Sequence, residues 1–306
     1  MFDVISIGSG VVDILVKPEK MKISREWLKV ERAAKGEVKE ALVTSGGGAT
    51  NSAVGMARLG LKTACVAQIG SDLLGNYVMA DLEKDRVEVS MIVRSKKDET
   101  DFAVILVGDD GSRSILVNRG KEGLEEKNIQ WGKIKKTKWF YISSLEGNVD
   151  LLEKLVGLAL ENKIKVALNP GNRELKKRER LMSIINQVDF LLLNKTEAEM
   201  LTEKKLEEGK FWSRLVGYGA KMVAVTNGRR GAHLLTATSH FYCPIINHHP
   251  VDETGAGDSF GSAVTAALVH GLTPEKALDW GMKNAASVVA YMGAKEGLLK
   301  LNQIRK

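Results

Sequence analysis

Residues 252–260 read Asp252-Glu253-Thr254-Gly255-Ala256-Gly257-Asp258-Ser259-Phe260, and this stretch indicates more about the fold and its use than any other. A loop of small residues leads here into a run of helix-forming residues, 261–270. The first N–H groups of a helix have no partner within the helix, and the helix dipole makes that end positive. The stretch therefore predicts a helix N-terminus that binds an anion, above all a phosphate.

Asp258 is unexpected at such a site, because a carboxylate beside a bound phosphate repels it. The function that would justify its presence is to accept a proton from the group that attacks the phosphate. The alternative is an aspartate that only caps an ordinary helix. The Gly-Ala-Gly segment before Asp258, which a simple cap does not require, favours the proton acceptor.

Short apolar segments alternate with helical patterns on both sides of this stretch. This alternation is typical of an α/β protein with a mostly parallel sheet. The predicted strands are 3–8, 63–69, 139–143, 165–169, 190–193, 222–226 and 232–235. The predicted helices are 50–59, 73–84, 151–162, 179–187, 197–201, 206–217, 258–270 and 274–289, with a further one in the C-terminal tail.

Two regions interrupt the alternation of strands and helices. In residues 11–44, polar and apolar residues alternate in parts. In residues 100–119, the same alternation surrounds Gly108-Asp109-Asp110-Gly111, which predicts a hairpin of 102–107 with 112–117. Both regions therefore predict strands outside the main sheet.

Composition sets the broad class of the protein. The chain has 306 residues, 44% hydrophobic and 27% charged, with a net charge of +7. Its basic clusters, 133–138 and 176–180, are not interleaved with aromatic residues, which favours solvated helix faces over nucleic-acid binding. No apolar run approaches the roughly 20 residues of a membrane span. Two distant cysteines, Cys65 and Cys243, favour the reducing cytoplasm over a disulfide framework.

Two other motifs point away from alternative functions. Gly8-Ser9-Gly10 follows the first predicted strand, as a dinucleotide-binding fingerprint would, but that fingerprint requires a third glycine where this chain has Asp13. A hydride-transfer enzyme is therefore disfavoured. The pair His248-His249 lacks the partner spacing of a metal site.

Four ordered motifs together resemble the ribokinase-like (PfkB-type) carbohydrate kinases. Residues 252–258 are similar to the C-terminal signature of that family. The other three motifs are similar to its N-terminal Gly-Gly motif, its Asn-x-x-Glu motif and its nucleotide loop; they are Gly46-Gly47-Gly48-Ala49-Thr50-Asn51, Asn194-Lys195-Thr196-Glu197 and Thr226-Asn227-Gly228-Arg229-Arg230-Gly231. The match runs from Asp3 to about Gly293.

The resemblance implies a three-layer α/β/α fold with a mostly parallel central sheet and a small β lid. Residues 1–12, 45–99 and 120–306 would form the nucleotide- and substrate-binding core, and 13–44 and 100–119 the lid. Lid sheets in this family often pair between subunits, so the resemblance also makes a homodimer plausible, although an exposed edge can equally be covered within one chain.

The resemblance assigns the acceptor side of the site. Asp13 would accept hydrogen bonds from two sugar hydroxyls, for which a carboxylate is well suited. Gly46, Gly47 and Gly48 would let the backbone approach the substrate, since they lack a Cβ, and Asn51 and Glu146 would contact it. Many sugar kinases of the family have lysine where this chain has Gly48, a difference that argues against a phosphorylated sugar.

The resemblance also assigns the nucleotide side. Thr226 and Gly228 would contact the phosphates of ATP, Gly231 its base or ribose, and Asn284 its adenine. Asn194 and Glu197 would orient the water shell of Mg²⁺; from the residues alone, a helix cap is the alternative. Asp252 and Thr254 match positions around a monovalent-cation loop, and dependence on K⁺ stays open.

The implied reaction is transfer of the γ-phosphate of ATP to a primary hydroxyl of a free sugar, of the ribose, fructose or sugar-acid type. Asp258 would be the base, and the backbone N–H groups of Gly255, Ala256, Gly257 and Asp258 would form an anion hole. A nucleoside kinase of the same fold is the first alternative. A protein that binds sugar or nucleotide as a sensor without catalysis is the second.

Overall fold

A computed structural model describes residues 1–24, 26–30, 35–110, 112–120, 123–246 and 250–306. Gly111 of the predicted hairpin turn and the pair His248-His249 lie outside the described residues. The described strands are β1 (Phe2–Ile7), β2 (Val11–Pro18), β3 (Lys22–Ile23), β4 (Leu28–Lys29), β5 (Val38–Gly46), β6 (Thr63–Val66), β7 (Gln68–Gly70), β8 (Val93–Ser95), β9 (Phe102–Val107), β10 (Arg113–Asn118), β11 (Thr137–Ile142), β12 (Lys165–Leu168), β13 (Phe190–Asn194), β14 (Met222–Thr226), β15 (Ala232–Thr236) and β16 (His240–Cys243).

The α-helices of the described residues alternate with these strands. They are α1 (Gly48–Arg58), α2 (Leu73–Lys84), α3 (Trp131–Ile134), α4 (Val149–Glu161), α5 (Asn172–Leu175), α6 (Arg178–Ile185), α7 (Lys195–Thr202), α8 (Phe211–Val216), α9 (Ala256–Val269), α10 (Pro274–Val288) and α11 (Leu301–Ile304). Among the described residues, no helix has both the length and the apolar content that a membrane crossing requires.

The main sheet has the order β16-β15-β14-β13-β12-β11-β1-β6. Its strands from β6 to β14 pair in parallel, and β15 and β16 add antiparallel strands at one edge. The sheet is apolar on both faces because neighbouring residues of each strand enter different cores. Ile5, Phe140 and Leu191 pack with helices α4, α6, α7 and α8, whereas Val4, Tyr141 and Phe190 pack with α1, α9 and α10. These cores confirm the predicted three-layer fold.

A second sheet, which we call the lid sheet, consists of β10-β9-β2-β5. β2 pairs antiparallel with β5 and parallel with β9, and β9 pairs antiparallel with β10. The predicted hairpin is therefore present, with its second strand one residue later than expected. The division of the chain into a core and a lid at the predicted boundaries stays a prediction.

Several predicted elements differ in extent from the structure. The strand predicted at 63–69 is two strands, since β7 leaves the main sheet to pair with β8. The helix predicted at 206–217 begins only at Phe211, because Lys210 before it adopts a left-handed conformation. Strand β16 was not predicted at all, because its four residues are too few for a clear alternation.

Candidate active site

The predicted site residues gather at the carboxyl edge of the main sheet. Asn194 at the end of β13 is the direct register partner of Thr226 at the end of β14. On the far side of the sheet, Gly8 follows β1, and its N–H donates to Val66. Ligands of open α/β sheets bind at this edge. The Asn-x-x-Glu motif and the nucleotide loop, separated in sequence, thereby lie side by side at this edge.

Helix α9 has free backbone donors at its N-terminus. Gly255 before it has φ +76°, and a Cβ there would collide with Ala294, so the entry to the helix requires glycine. No side chain caps the helix. The N–H of Ala256 donates to Glu253 at 3.3 Å and that of Ser259 to Gly255 at 2.8 Å. The first-turn N–H groups of Gly257 and Asp258 are the donors left for an anion.

Asp258 projects from the first turn of α9 and accepts a hydrogen bond of 2.8 Å from Asn51 of α1. Burial raises the pKa of the Asp258 carboxyl, while the Asn51 hydrogen bond and the charge of Lys295 oppose the rise. The other amide atom of Asn51, Oδ1, is buried and has no hydrogen-bond partner among the described residues. This arrangement gives Asp258 a more basic carboxylate than an exposed aspartate has.

The Gly46-Gly47-Gly48 loop joins β5 to α1 and lies between Asp13 and Asp258. A Cβ on Gly46 would collide with the Asp13 carboxylate, and one on Gly48 would collide with the Ser143 side chain, 2.7 Å away, and lie 3.6 Å from Asp258 Oδ1. Gly47 has φ +93° and approaches Ser9 O so closely that a Cβ would be 2.6 Å from it. The loop needs glycines because these groups pack against its backbone.

Asp13 in β2 is 7% exposed. Burial raises the pKa of its carboxyl to about 6; Lys295 lowers this pKa, and Asp258 and Asp252 raise it. These carboxylates therefore share one electrostatic environment. No described residue donates a hydrogen bond to this carboxylate, so its two oxygens can accept hydroxyl groups of a ligand.

A cavity of about 490 Å³ opens beside the loop. Ser9 lines the cavity and also contacts the loop. Its hydroxyl accepts a hydrogen bond of 3.1 Å from the N–H of Gly48, and its carbonyl oxygen accepts one from the N–H of Ala49. Asp13, Asn51 and Asp258 are not among the lining residues. The described charged residues of the lining are five acidic and two basic ones: Asp98, Glu99, Asp101, Glu125, Glu146, Arg119 and Arg173.

Glu146 enters this cavity from the loop after β11. It has φ +57°, which is rare for a residue with a Cβ. Its carboxylate pairs with Arg119, which follows β10, and lies 3.5 Å from Arg173 Nη1. The loop is held by Glu174, which is 1% exposed and accepts the N–H groups of Leu145 and Gly147 at 2.8 and 2.7 Å. Glu146 is thus a rigid part of the cavity wall.

On the nucleotide side, Asn194 and Glu197 form a reciprocal capping box of α7. Asn194 Oδ1 accepts the Glu197 N–H at 2.9 Å, and Glu197 Oε2 accepts the Asn194 N–H at 2.8 Å. Burial, and less strongly Asp258, raises the pKa of Glu197. Its Oε1 is left for a water of a hydrated Mg²⁺, so the pair fits that role together with capping. No cluster of three or more His, Cys, Asp or Glu side chains in the described ranges could hold a metal by itself.

Residues 226–231 form a tight turn between β14 and β15, with the Asn227 N–H donating to Gly231 at 2.8 Å. Gly228 has φ +51° and open space around its Cα, whereas Gly231 packs against Cys243 and Pro244. Asn284 is fully buried; its amide donates to Ser259 O at 2.8 Å and accepts the Leu299 N–H at 2.9 Å. Its side chain is therefore engaged within the protein, and a contact with adenine stays a prediction.

The Asp252 carboxylate is engaged within the described part of the protein, and the monovalent-cation site around Asp252 and Thr254 stays a prediction. Asp252 is 1% exposed, and its Oδ1 accepts the N–H and hydroxyl of Thr254 at 2.9 and 2.7 Å. Its Oδ2 accepts the Gly293 N–H at 2.9 Å. Arg113 of the lid sheet places its guanidinium 3.5 Å from Oδ1. The carboxylate thus already has donors at both oxygens and a cation beside it.

Sequence reasoning missed three buried groups near the site. Lys295 and Glu174 lie in segments without a recognisable motif, so nothing in the sequence identified them. Tyr141 was predicted only as part of a core strand. Its hydroxyl is buried without a partner among the described residues, and burial, with the nearby Asp258 charge, holds its pKa well above the usual value.

Comparison with known proteins gives this geometry a family. Residues 1–301 match the model of the pfkB family carbohydrate kinases. The chain belongs to the pfkB family. It is therefore a sugar kinase, and the resemblance found in the sequence is confirmed.

Individual relatives of this kinase are similar to it over nearly their whole length. Ribokinase of Staphylococcus aureus (strain COL) is 24% identical over 99% of this chain and 98% of its own. Deoxyribokinase of Salmonella typhi is 25% identical over the same shares of both chains. A putative Ribokinase II from E. coli, solved in complex with ATP and Mg²⁺, superposes with a TM-score of 0.84 at 22% identity, covering 100% of this chain and 98% of that one.

Proposed function

We propose that this kinase transfers the γ-phosphate of ATP to a primary hydroxyl of an uncharged free sugar. The position of Asp258 carries the proposal. Its carboxylate accepts a hydrogen bond from Asn51 on the acceptor side, and the residue lies in the first turn of a helix whose N-terminal N–H groups are unpaired. A proton acceptor and a phosphate-binding helix end therefore meet at one residue.

In the proposed reaction, Asp258 accepts the proton of the sugar hydroxyl as that hydroxyl attacks the γ-phosphate. The N–H groups of Gly257 and Asp258 donate to the oxygens of the transferring phosphoryl group, whose negative charge they stabilise. Asp13 and Asn51 hold other hydroxyls of the sugar. Mg²⁺, when bound with ATP, would neutralise phosphate charge, and Glu197 with Asn194 would hold its water shell. Thr226, Gly228 and Gly231 would border the nucleotide.

The lining of the cavity supports a neutral acceptor. Its described residues carry more carboxylates than guanidinium groups, which repels a sugar acid or a sugar phosphate. None of the described lining residues is aromatic, so a nucleoside base would find no stacking partner there. The charge of the lining disfavours anionic acceptors and its lack of aromatic residues disfavours a nucleoside, so the two observations together favour a neutral free sugar.

A panel of acceptors tests the proposal. ADP release from ATP·Mg²⁺ would be measured with neutral pentoses and hexoses, sugar acids, sugar phosphates and nucleosides. We expect turnover with a neutral sugar and kcat/KM values at least about tenfold lower for anionic acceptors of the same size. Preference for a nucleoside would establish the alternative kinase. Binding of sugar or ATP without turnover of any acceptor would establish a sensor.

We further propose that the lid sheet covers the acceptor and joins two copies of the chain. Among the described strands, β10 is at the edge of the lid sheet. Its consecutive apolar residues Ile115, Leu116 and Val117 are 47%, 62% and 48% exposed. Light scattering after gel filtration should give a dimer, and Leu116→Lys should give a monomer. A monomeric wild-type chain would contradict the interface.

The expected location remains the cytoplasm. Both cysteines are free, and burial raises the pKa of the Cys65 thiol to about 12, which keeps it unreactive. We propose no nucleic-acid or membrane partner. Retention of activity in a strong reductant would agree with a reducing compartment, and loss of activity would contradict it.

A further inference from the structure

Lys295 is a buried cation directly beneath the acceptor loop. It lies between α10 and α11 and is 3% exposed. Its ammonium donates to Ser45 O at 2.5 Å, to Thr50 Oγ1 at 3.1 Å and to Ser45 Oγ, and it lies 3.4 Å from Asp81 Oδ2. Burying a charge is costly unless it is compensated. Such a group therefore requires an explanation that packing alone does not give.

We propose that Lys295 is a positioning residue that holds the Gly46-Gly47-Gly48 loop in place and supplies the positive charge that keeps Asp13 and Asp258 ionised. The inference deepens the proposed function and rests on it for the roles of those two carboxylates. One side chain would then set both the conformation of the glycine loop and the charge balance of the acceptor carboxylates.

The contacts of Lys295 bracket the loop. Ser45 is the residue before Gly46, and Thr50 follows the loop in the first turn of α1. The Thr50 hydroxyl donates to Gly46 O at 2.6 Å, so the ammonium is linked to both ends of the glycine segment. The backbone of Lys295 is itself held, since Arg58 Nη1 donates to its carbonyl oxygen at 2.6 Å. Glycines alone would leave this loop free to adopt several conformations.

The charges around Lys295 make the second part of the argument. The titratable groups that face it are Asp81 of α2, Cys65 of β6, Asp13 of β2 and Asp258 of α9. Cys65 is neutral, and the Asp81 side chain is 20% exposed, so water screens part of its charge. The third carboxylate of the site, Asp252, has Arg113 beside it. Among the described residues, Lys295 is therefore the cation that compensates Asp13 and Asp258.

A direct test observes the carboxyl groups themselves. Selective ¹³C labelling of aspartate would give the titration midpoint of Asp13, with the signal assigned by its loss in Asp13→Asn. For the wild-type protein we expect a midpoint of about 6, because burial raises the pKa of this carboxyl. In Lys295→Met, which keeps the length of the side chain without its charge, we expect a midpoint higher by about one unit. An unchanged midpoint in the folded variant would overturn the proposal.

Arg58→Met is the matched control. It removes another partly buried cation of the same network, one that pairs with Asp85 and bonds to Lys295 O. We expect a lower Tm and an Asp13 midpoint that moves much less than in Lys295→Met, because Arg58 bonds only to the backbone of Lys295 and its loss leaves the ammonium in the protein. If Arg58→Met moved the midpoint as far as Lys295→Met, general loosening of the structure would be the cause, and the assigned role of Lys295 would be wrong.

A second variant keeps the test valid if Lys295→Met does not fold. Asp81→Asn removes the partly exposed carboxylate that shares the ammonium, so the Asp13 midpoint should fall; a rise or no change would overturn the proposal. In kinetics, the acidic limb of kcat/KM should move to higher pH in Lys295→Met. Because the titration needs no turnover, a wild-type enzyme inactive with every acceptor would refute the proposed function without deciding the role of Lys295.

Discussion

The proposed phosphate-binding end and the proposed acceptor end of this site are built in different ways. The phosphate end is one continuous stretch, in which the turn at Asp252, the left-handed Gly255 and the first turn of α9 follow each other. The acceptor end is assembled from strands of both sheets and from loops far apart in sequence, including Ser9, Asp13, Arg119 and Glu146. In a continuous stretch, the local backbone conformation sets the direction of the N–H donors. In a site assembled from distant segments, the positions of the side chains depend on how the two sheets pack.

The two ends also differ in charge. The phosphate end offers N–H donors and the positive end of a helix dipole to an anion. The acceptor end carries several carboxylates, which suit hydroxyl groups and repel anions. Asp258 belongs to both, since it lies in α9 and bonds to Asn51. The predictions below test whether the two ends behave separately, starting with the residue that joins them.

Asp258→Asn should have the largest effect. We expect turnover to fall by about 10²–10⁴-fold, because a neutral amide cannot accept the proton of the attacking hydroxyl. Binding of ATP should survive, because its donors are backbone groups. ADP release and ATP calorimetry would measure the two quantities. The control is Asp279→Asn on the exposed side of α10, and near-normal turnover of Asp258→Asn would contradict its role as base.

Gly257→Val should damage the phosphate end alone. A Cβ on Gly257 would meet no protein atom within 4 Å, so the new side chain would occupy only the space of the ligand. We expect kcat/KM for ATP to fall on the order of 10²-fold while Tm stays near the wild-type value. Gly255→Ala is the contrasting variant, because its Cβ would collide with Ala294 and should lower Tm. Unaltered kinetics of Gly257→Val would contradict the proposed anion hole.

The acceptor end should be the pH-sensitive one. The pKa of Asp13 is raised to about 6, so its carboxylate is ionised above that pH and protonated below it. Each pH unit below 6 should therefore lower kcat/KM for the sugar by about tenfold, as the hydroxyl acceptor is lost. The KM for ATP should change little over the same range. An equal fall of kcat/KM for the sugar and for ATP would show that the two ends do not behave separately.

Arg119→Gln should weaken acceptor binding more modestly. Arg119 holds the carboxylate of Glu146 in the cavity wall. Loss of one charge-assisted hydrogen bond should raise the KM for the sugar by about tenfold, with the KM for ATP unchanged. Arg173→Gln, whose guanidinium is 3.5 Å from the same carboxylate, should have a smaller effect. A larger rise of the sugar KM in Arg173→Gln than in Arg119→Gln would show that Arg173, and not Arg119, holds Glu146.

Replacement of K⁺ should have the smallest effect. Arg113 already lies beside the buried Asp252, so exchanging K⁺ for tetramethylammonium at fixed ionic strength should change wild-type turnover by less than about twofold. In Arg113→Gln the carboxylate loses its cation, and K⁺ should then raise activity. Strong activation of the wild-type enzyme by K⁺ would show that the ion displaces the guanidinium.

Much of the architecture was predictable because it depends on local patterns. Short apolar segments that alternate with helical patterns specify layers, and all seven predicted core strands lie in the main sheet, apart from the end of the second, which continues as β7. The exceptions were short or irregular elements, such as β16 and the delayed start of α8 at Phe211, where a single left-handed residue decides the boundary. Their outcome depends on neighbours that a local pattern does not contain.

The sequence by itself determined the glycine-rich turns, the helix that begins after Gly255 and the order of strands and helices, because backbone conformation follows from residues within a few positions of each other. Only the tertiary structure decided the bond between Asn51 and Asp258, the pair of Arg119 with Glu146, and the burial of Lys295 beneath the glycine loop. Those contacts join residues up to 250 positions apart. Burial and charge balance are properties of the packed chain, and they set the protonation of the acceptor site.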